Sequence, residues 1–155
     1  MHSKIFQVSV EPIEKGDYIK ACNYEFDHWF TMSYADYVND GCNRDKDIEW
    51  LKSSMENSAE FNEDEYGKYF IVKSKAEYFK PAFERFKKEI DKIKDATIDE
   101  FASGKVDIWN IKDAYDDKFG FYIDDDADLF TLDTFVRCCT EGEKYYLGGT
   151  VDYHF

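Results

Sequence analysis

Apolar positions that alternate or follow one another predict four strand regions. Residues 4–10 are rich in β-branched and aromatic side chains, which favours a first strand. A second strand is predicted at 68–73, around a run of four apolar residues, and a third at 120–123. Residues 144–155 predict two short strands joined at Gly148 and Gly149, since paired glycines tolerate the positive φ of a tight hairpin turn.

A repeat of large apolar residues predicts one long helix that starts near Ser74. Ser74 and Glu77 have the Ser-x-x-Glu spacing of a capping box. Five large side chains then follow at spacings of three and four, which places them on one stripe: Phe79, Phe83, Phe86, Ile90 and Ile93. In a chain this short, we expect the stripe to be buried in the core. Pro81 lies too far inside for a first-turn proline, so it is expected to kink the helix or delay its start.

Capping residues and apolar spacing predict shorter helices elsewhere. Asn43, Thr97 and Thr131 are the expected N-caps of three of them. The predicted helical spans are 33–38, 43–56, 97–104, 108–115 and 131–139. Residues 24–30 fit either a short strand or an irregular packed segment, and the acidic residues 57–66 are interpreted as a solvated loop.

Composition sets the class of fold. A chain of 155 residues has room for one domain. The chain has few leucines, but its 14 Phe, 12 Tyr and 3 Trp can bury enough apolar surface to form a core. No internal repeat or linker divides the chain. We therefore predict one α+β domain over residues 1–155, with a small, mainly antiparallel sheet, several covering helices and an aromatic-rich core.

The net charge of −14 is concentrated in two regions. Residues 1–67 carry 15 acids and 6 bases, residues 68–105 carry 7 acids and 10 bases, and residues 106–155 carry 12 acids and 4 bases. Such a surface repels nucleic-acid backbones and anionic lipids, which disfavours direct binding to DNA, RNA or membranes unless the basic segment 68–105 is isolated on one face. A basic protein partner is the alternative that the charge favours. In particular, the acidic, tyrosine-bearing segments 17–66 and 107–133 either serve solubility or form a patterned surface.

Other sequence features predict a cytoplasmic protein of a low-G+C bacterium or its phage. The longest apolar run has four residues, far below the ~20 that span a bilayer, and no basic and apolar leader is visible. The four cysteines lack the spacing of a zinc site or the density of a disulfide scaffold, which favours reduced thiols. Lysine greatly outnumbers arginine, which is the bias expected of a low-G+C genome because lysine codons are rich in A.

The acidic run after the third predicted strand suggests a metal site. Asp124, Asp126 and Asp128 match the first three oxygen-ligand positions of a calcium loop. Leu129 stands where that loop needs glycine, and Phe135 stands where it needs a bidentate glutamate, so the segment does not match an EF-hand. The alternatives are a weak Ca²⁺ or Mg²⁺ site and an acidic turn that favours the N-terminus of the next helix.

No other constellation predicts catalysis, and no cofactor is predicted. His28 and His154 are interpreted as packing or surface residues, although Asp152 and His154 share a strand face. The helical neighbours Cys138 and Cys139 point about 100° apart, so one is expected to be buried and the other partly exposed. Nucleophile-elbow and phosphate-binding glycine motifs are absent from the sequence, which disfavours an enzyme. Paired carboxylates for acid–base chemistry leave no such motif.

Two hypotheses of function follow. The first is a small, acidic, non-enzymatic interaction or regulatory protein that binds a basic macromolecular partner. In charge and size alone the chain resembles DNA-mimicking inhibitors encoded by phages and mobile elements, which implies rows of carboxylates in place of phosphates. The second is a small carboxylate- or metal-dependent hydrolase, for which several acids should surround one concave pocket.

Overall fold

The computed structural model describes residues 1–25, 28–126 and 128–155. Within these residues the chain forms seven strands, six α-helices and two 3-10 turns. The strands are β1 (His2–Ser9), β2 (Tyr37–Asn39), β3 (Ala59–Asp64), β4 (Gly67–Val72), β5 (Tyr122–Asp124), β6 (Leu129–Thr131) and β7 (Lys144–His154). The helices are α1 (Trp29–Ser33), α2 (Arg44–Ser54), α3 (Lys75–Lys94), α4 (Ile98–Ala102), α5 (Trp109–Tyr115) and α6 (Leu132–Cys138). The 3-10 turns are Lys15–Asp17 and Ala21–Tyr24.

One sheet organises the fold, and the long strand β7 lies near its centre. The strand order is β3-β4-β7-β1-β5-β6, and β2 pairs with the end of β7 that β4 leaves uncovered. Every pairing is antiparallel except that of β1 with β5, which is parallel. The predicted α+β class with a mainly antiparallel sheet is therefore confirmed.

The sheet has a hydrophobic core on each face, and aromatic rings contribute to both. On one face α2 and α6 cover a cluster that includes Phe6, Phe70 and Phe135. On the other face Phe30 lies within 5.0 Å of the rings of both Tyr122 and Tyr153. Such edge-on ring contacts add to the burial energy of each side chain. The prediction of an aromatic-rich core is confirmed.

The predicted turn at Gly148 and Gly149 is wrong, because β7 runs through both glycines as one strand. Opposite them, the register with β1 shifts between Phe6 and Val8, so two residues of β7 face Gln7 alone. This is a β-bulge. A Cβ atom on Gly148 would lie 2.3 Å from Oε1 of Gln7, and one on Gly149 would lie 2.9 Å from the backbone of Ile19. The glycines therefore permit close packing rather than chain reversal.

Three short strands occupy segments for which the sequence predicted other structure. The expected helix at 33–38 is wrong, because the backbone at 37–39 pairs with the end of β7. The expected loop at 57–66 is also wrong, since Phe61 of β3 stacks on Phe70 at 5.4 Å while the neighbouring Glu60 faces water. β6 was not expected. In each case pairing with a neighbouring strand outweighs local composition.

The stripe on α3 is not buried, which corrects the expectation that it forms core. No residue of α3 is buried. Phe79 packs on the edge of the core and Phe86 lies 6.4 Å from the ring of Tyr115 in α5, while Phe83 is exposed to solvent. The helix itself is confirmed, and Pro81 lies inside it without delaying its start.

Part of the undecided segment 24–30 lies outside the described residues, namely Phe26 and Asp27. Tyr24 ends the second 3-10 turn, and α1 begins at Trp29. His28 caps α1, since its Nδ1 accepts a hydrogen bond from the Phe30 backbone N–H at 3.3 Å. The described part of this segment contains no strand, and it includes the end of a 3-10 turn and the start of α1.

Candidate functional site

An acidic cleft lies at the carboxyl ends of the parallel strands β1 and β5. It consists of two adjoining cavities of about 420 and 390 Å³, which share Gln7, Asp17 and Asp126 in their linings. Asp124 lines the first cavity and Glu11 the second. Side chains that follow adjacent parallel strands meet at one end of a sheet, which is a common position for binding sites.

The buried side chain of Gln7 fixes one wall of the acidic cleft. Its Nε2 donates to the Asp17 carbonyl at 2.9 Å, while its Oε1 accepts from the N–H groups of Ile19 and Gly149, both at 3.0 Å. The bulge of β7 provides the room for this side chain. Three hydrogen bonds from one amide therefore hold the segment with Asp17 against the central strands.

Tyr24 orders Asp124, which lies beside Gln7 on the neighbouring strand. The Tyr24 hydroxyl donates a hydrogen bond to the Asp124 carboxylate. Burial raises the pKa of Tyr24 far above its usual value, and the neighbouring carboxylate raises it further, so the hydroxyl keeps its proton. The same carboxylate accepts the Asp126 backbone N–H at 3.3 Å through Oδ1. Asp124 therefore orders the cleft as well as lining it.

Asp126 lines both cavities of the cleft and has an unusual backbone conformation. Its φ is +74°, in the left-handed region that Asp tolerates better than most residues. Asp128 is placed differently, because its Oδ1 accepts the Leu129 N–H at 2.8 Å and it is not part of either lining. The structure thus brings Asp124 and Asp126 of the predicted metal ligands to one cavity, together with Asp17, and does not add Asp128.

Metal binding by these aspartates stays a prediction. In the parts of the chain that the structure describes, no group of three His, Cys, Asp or Glu side chains is arranged to hold a metal ion. What the cleft can do is accept hydrogen bonds from a cationic group. Carboxylates on a concave surface suit a guanidinium or ammonium group, which donates several N–H bonds in a small volume.

A second cluster, which sequence reasoning missed, is buried at the start of β1. The Lys4 ammonium lies 3.0 Å from Oδ1 of Asp152 and 3.4 Å from Oδ1 of Asp47, with Cys42 Sγ at 3.6 Å. Asp152 also accepts hydrogen bonds from His2 at 2.8 Å and from the Asn39 side chain at 3.0 Å. We name these residues the Lys4 cluster. The ammonium occupies the point at which the surrounding oxygens and sulfur converge.

Charge pairing overcomes desolvation within the Lys4 cluster. Burial alone would lower the pKa of Lys4, but the hydrogen bond to Asp152 and the nearby negative groups raise it above its usual value. Burial alone would likewise raise the pKa of Asp152, but the hydrogen bonds from Lys4 and His2 hold it below its usual value. Burial raises the pKa of Cys42 despite the ammonium, which disfavours a reactive thiolate there.

The remaining sequence candidates occupy separate places. His154 pairs with Asp36 at 3.0 Å rather than joining the groups around Asp152. Cys138 is exposed and Cys139 is buried, as their spacing predicted. Besides the predicted metal ligands Asp124 and Asp126, the expectation of a patterned surface from segments 17–66 and 107–133 bears on the cleft, because Asp17 and Asp126 come from these two segments. No local signal in the sequence marks Gln7 or Tyr24, since their partners lie far along the chain.

Comparison with known proteins adds no assignment: no family model matches the chain, and neither a curated protein nor a solved structure is significantly similar to it. Within the described residues, no helix combines the length and the apolar character needed to cross a membrane.

Proposed function

We propose that this protein is a non-enzymatic interaction protein that binds a basic macromolecular partner through the acidic cleft. The observation that carries the proposal is the convergence of Asp17, Asp124 and Asp126 on one concave surface of a strongly acidic chain. The cleft has room for one or two long basic side chains. The hydrogen bonds of Gln7 and Tyr24 order its walls before a partner arrives, which reduces the entropic cost of binding.

In this proposal, charged groups and an aromatic ring make different contributions to recognition of the partner. The field of the acidic surface speeds the encounter with a basic partner, and this effect weakens as salt rises. Within the cleft, the carboxylates accept N–H bonds from an arginine or lysine side chain. Tyr18 lines the same cavity and lies 5.1 Å from the guanidinium of Arg44, so its ring already accommodates one cation.

The test compares two double variants that remove the same charge. In Asp17→Asn with Asp126→Asn, we expect an oligo-arginine peptide to bind about tenfold more weakly than to wild type, measured by calorimetry at low salt. The control is Glu63→Gln with Glu65→Gln, two exposed acids at the β3–β4 hairpin. The control should retain most of the affinity. Equal weakening in both variants would mean that only net charge matters and would refute the cleft as the site.

A DNA-mimic inhibitor is the particular form of this function that the acidic composition resembles. In that form the partner is a nucleic-acid-binding protein, and the carboxylates occupy its phosphate contacts. Duplex DNA should then displace the wild-type protein from its partner. A partner that binds duplex DNA and this protein at the same time would exclude mimicry while leaving the interaction proposal intact.

The same convergence favours a second candidate, a small carboxylate- or metal-dependent hydrolase. Several acids around one concave cavity are what this candidate requires. A divalent ion bound in the cleft would raise the melting temperature of the native protein. Mg²⁺ or Ca²⁺ should therefore stabilise wild type and fail to stabilise Asp124→Asn with Asp126→Asn. If neither ion shifts the wild-type melting temperature, the metal-dependent form of this candidate is refuted.

A further inference from the structure

Helices α3, α4 and α5 expose an unusual set of large apolar side chains. We call this set the hairpin face, and its members are each between 58 and 77 % exposed: Phe83, Ile98, Phe101, Ile108, Trp109 and Tyr115. All six lie within 33 consecutive residues that have no part in the acidic cleft. Scattered single apolar residues are normal on a surface, but a concentration of this kind marks an interaction site.

The helices that carry the hairpin face are packed together. α3 lies against α5, and the ring of Phe86 is 6.4 Å from that of Tyr115. At the far end, α3, α4 and the connection to α5 line one cavity of about 460 Å³. Glu100 of α4 and Asp107, just before α5, line that cavity. The exposed apolar groups therefore lie on one structural unit.

The exposed area is large enough for a stable interface. A large aromatic residue presents roughly 150–250 Å², so the four aromatic members at these exposures leave on the order of 400–600 Å² of surface to cover, to which Ile98 and Ile108 add. The largest apolar patch on a typical monomer is about 300–600 Å². A standard interface buries about 800 Å² on each partner. The hairpin face thus matches one side of such an interface.

Charge indicates which partner fits. Residues 75–115 carry nine acids and nine bases, whereas the rest of the chain carries 25 acids and 11 bases. Two copies can therefore meet at this unit without the repulsion that the rest of the surface would cause. A basic partner would be drawn instead to the acidic remainder of the molecule.

The charges within the unit are also complementary. α3 carries seven bases and four acids, while residues 95–115 carry five acids and two bases. A two-fold arrangement in which α3 of each copy lies against α4 and α5 of the other places basic segments against acidic ones. We propose that this protein forms a symmetric dimer through the hairpin face, with the two acidic clefts left free.

The first experiment measures the mass of the wild-type chain by sedimentation equilibrium, from about 1 to about 100 µM, which brackets the affinity expected of a modest interface. The monomer has a mass of 18.4 kDa, and the expected result is a concentration-dependent rise to twice that value. A wild-type protein that remains monomeric throughout this range overturns the proposal, whether or not it binds other macromolecules.

Matched variants then locate the interface. Phe101→Asp with Trp109→Asp should weaken the dimer at least about tenfold, because it places charge in the apolar contact. The control is Met32→Asp with Tyr66→Asp, which adds the same charge at two other exposed apolar residues. It should dimerise like wild type. Circular dichroism establishes that both variants are folded. A dimer that the two variants weaken equally, or not at all, lies on another surface and refutes the proposal.

Discussion

Lys4 is a buried cation whose charge is balanced by neighbouring carboxylates. Its side chain is only 9 % exposed and lies between the carboxylates of Asp152 and Asp47. A buried ammonium is costly unless its charge is balanced, and the removal of one balancing charge usually costs more than the pair contributes. Because Lys4 lies on β1, Asp152 on β7 and Asp47 near the start of α2, the Lys4 cluster also joins these three elements.

The Asp152→Asn variant should be less stable by about 3 kcal/mol at pH 7, because it leaves the Lys4 ammonium with only the more distant Asp47 carboxylate. The pH dependence has a definite sign. Since the pKa of Asp152 is lowered in the fold, its contribution is complete above about pH 4 and is lost as pH falls through the lower native value. Wild type should thus lose more stability than the variant between pH 5 and pH 2, as urea unfolding would measure.

An exposed ion pair provides the control for this prediction. Asp45 lies 2.6 Å from the Lys68 ammonium, but its side chain is mostly in water. Water screens the charge there, so Asp45→Asn should change the unfolding curve little. If Asp152→Asn left both the stability at pH 7 and the acid dependence unchanged, the account of the Lys4 cluster would be wrong.

At the scale of elements, a few contacts attach α3 and α5 to α6 and so to the rest of the fold. The Tyr78 hydroxyl at the start of α3 donates to Asp133 of α6 at 2.9 Å. Arg137 of α6 lies between two rings, with its guanidinium carbon 4.6 Å from the centre of Phe79 and 4.2 Å from that of Tyr115. Beyond these contacts the C-terminal half of α3 packs mainly on α5. The unit formed by α3 and α5 should therefore open more easily than the sheet.

We expect Arg137→Ala to loosen this unit selectively. The variant removes the cation between the rings of Phe79 and Tyr115 and the hydrogen bond to the Tyr115 carbonyl. Amide hydrogen exchange in α5 and the first turns of α3 should become about tenfold faster, as expected for a loss of about 1.4 kcal/mol.

The Arg137 test compares amide exchange rates in α3 and α5 with those in the central strands. Exchange in β1 and β7 should stay unchanged, since neither strand contacts the lost side chain. Arg85→Ala, an exposed arginine on α3, should have no comparable effect. Uniformly faster exchange across the sheet would show that Arg137 stabilises the whole fold rather than this junction.

At the scale of the whole molecule, the excess of acids acts against the compact state. A net charge of −14 at pH 7 produces repulsion that weak surface pairs relieve only in part. The distribution matters as well as the total. Acids on β3 and the acids Asp124, Asp126 and Asp128, at or near the ends of β5 and β6, lie towards the two edges of the sheet, where charge hinders pairing with the edge of another molecule.

Added salt should stabilise this protein near neutral pH. An increase from about 10 mM to about 500 mM NaCl shortens the Debye length from about 30 Å to below 5 Å, so repulsion between exposed carboxylates weakens. We expect the melting temperature to rise by about 2–5 °C. The rise should largely disappear near the isoelectric point of about 4.5. An equal rise at both pH values would indicate a general salt effect and contradict the explanation by net charge.

The class of the fold and the features that depend on near neighbours could be predicted from the amino-acid sequence alone. Asn43, Ser74, Thr97 and Thr131 each cap the expected helix, because a cap binds a backbone N–H three residues away. The abundance of rings predicted the aromatic core. These features need no information from distant parts of the chain, which is why a sequence suffices to predict them.

Features that depend on distant partners became visible in the three-dimensional fold and not in the sequence. Gly148 and Gly149 form a bulge instead of a turn because Gln7, some 140 residues earlier, occupies the space beside them. The stripe on α3 remains partly exposed because α5 covers it incompletely. Asp17 meets Asp126 through the pairing of β1 with β5. Strand order and register determine such meetings, and both depend on the packing of the whole chain rather than on local sequence.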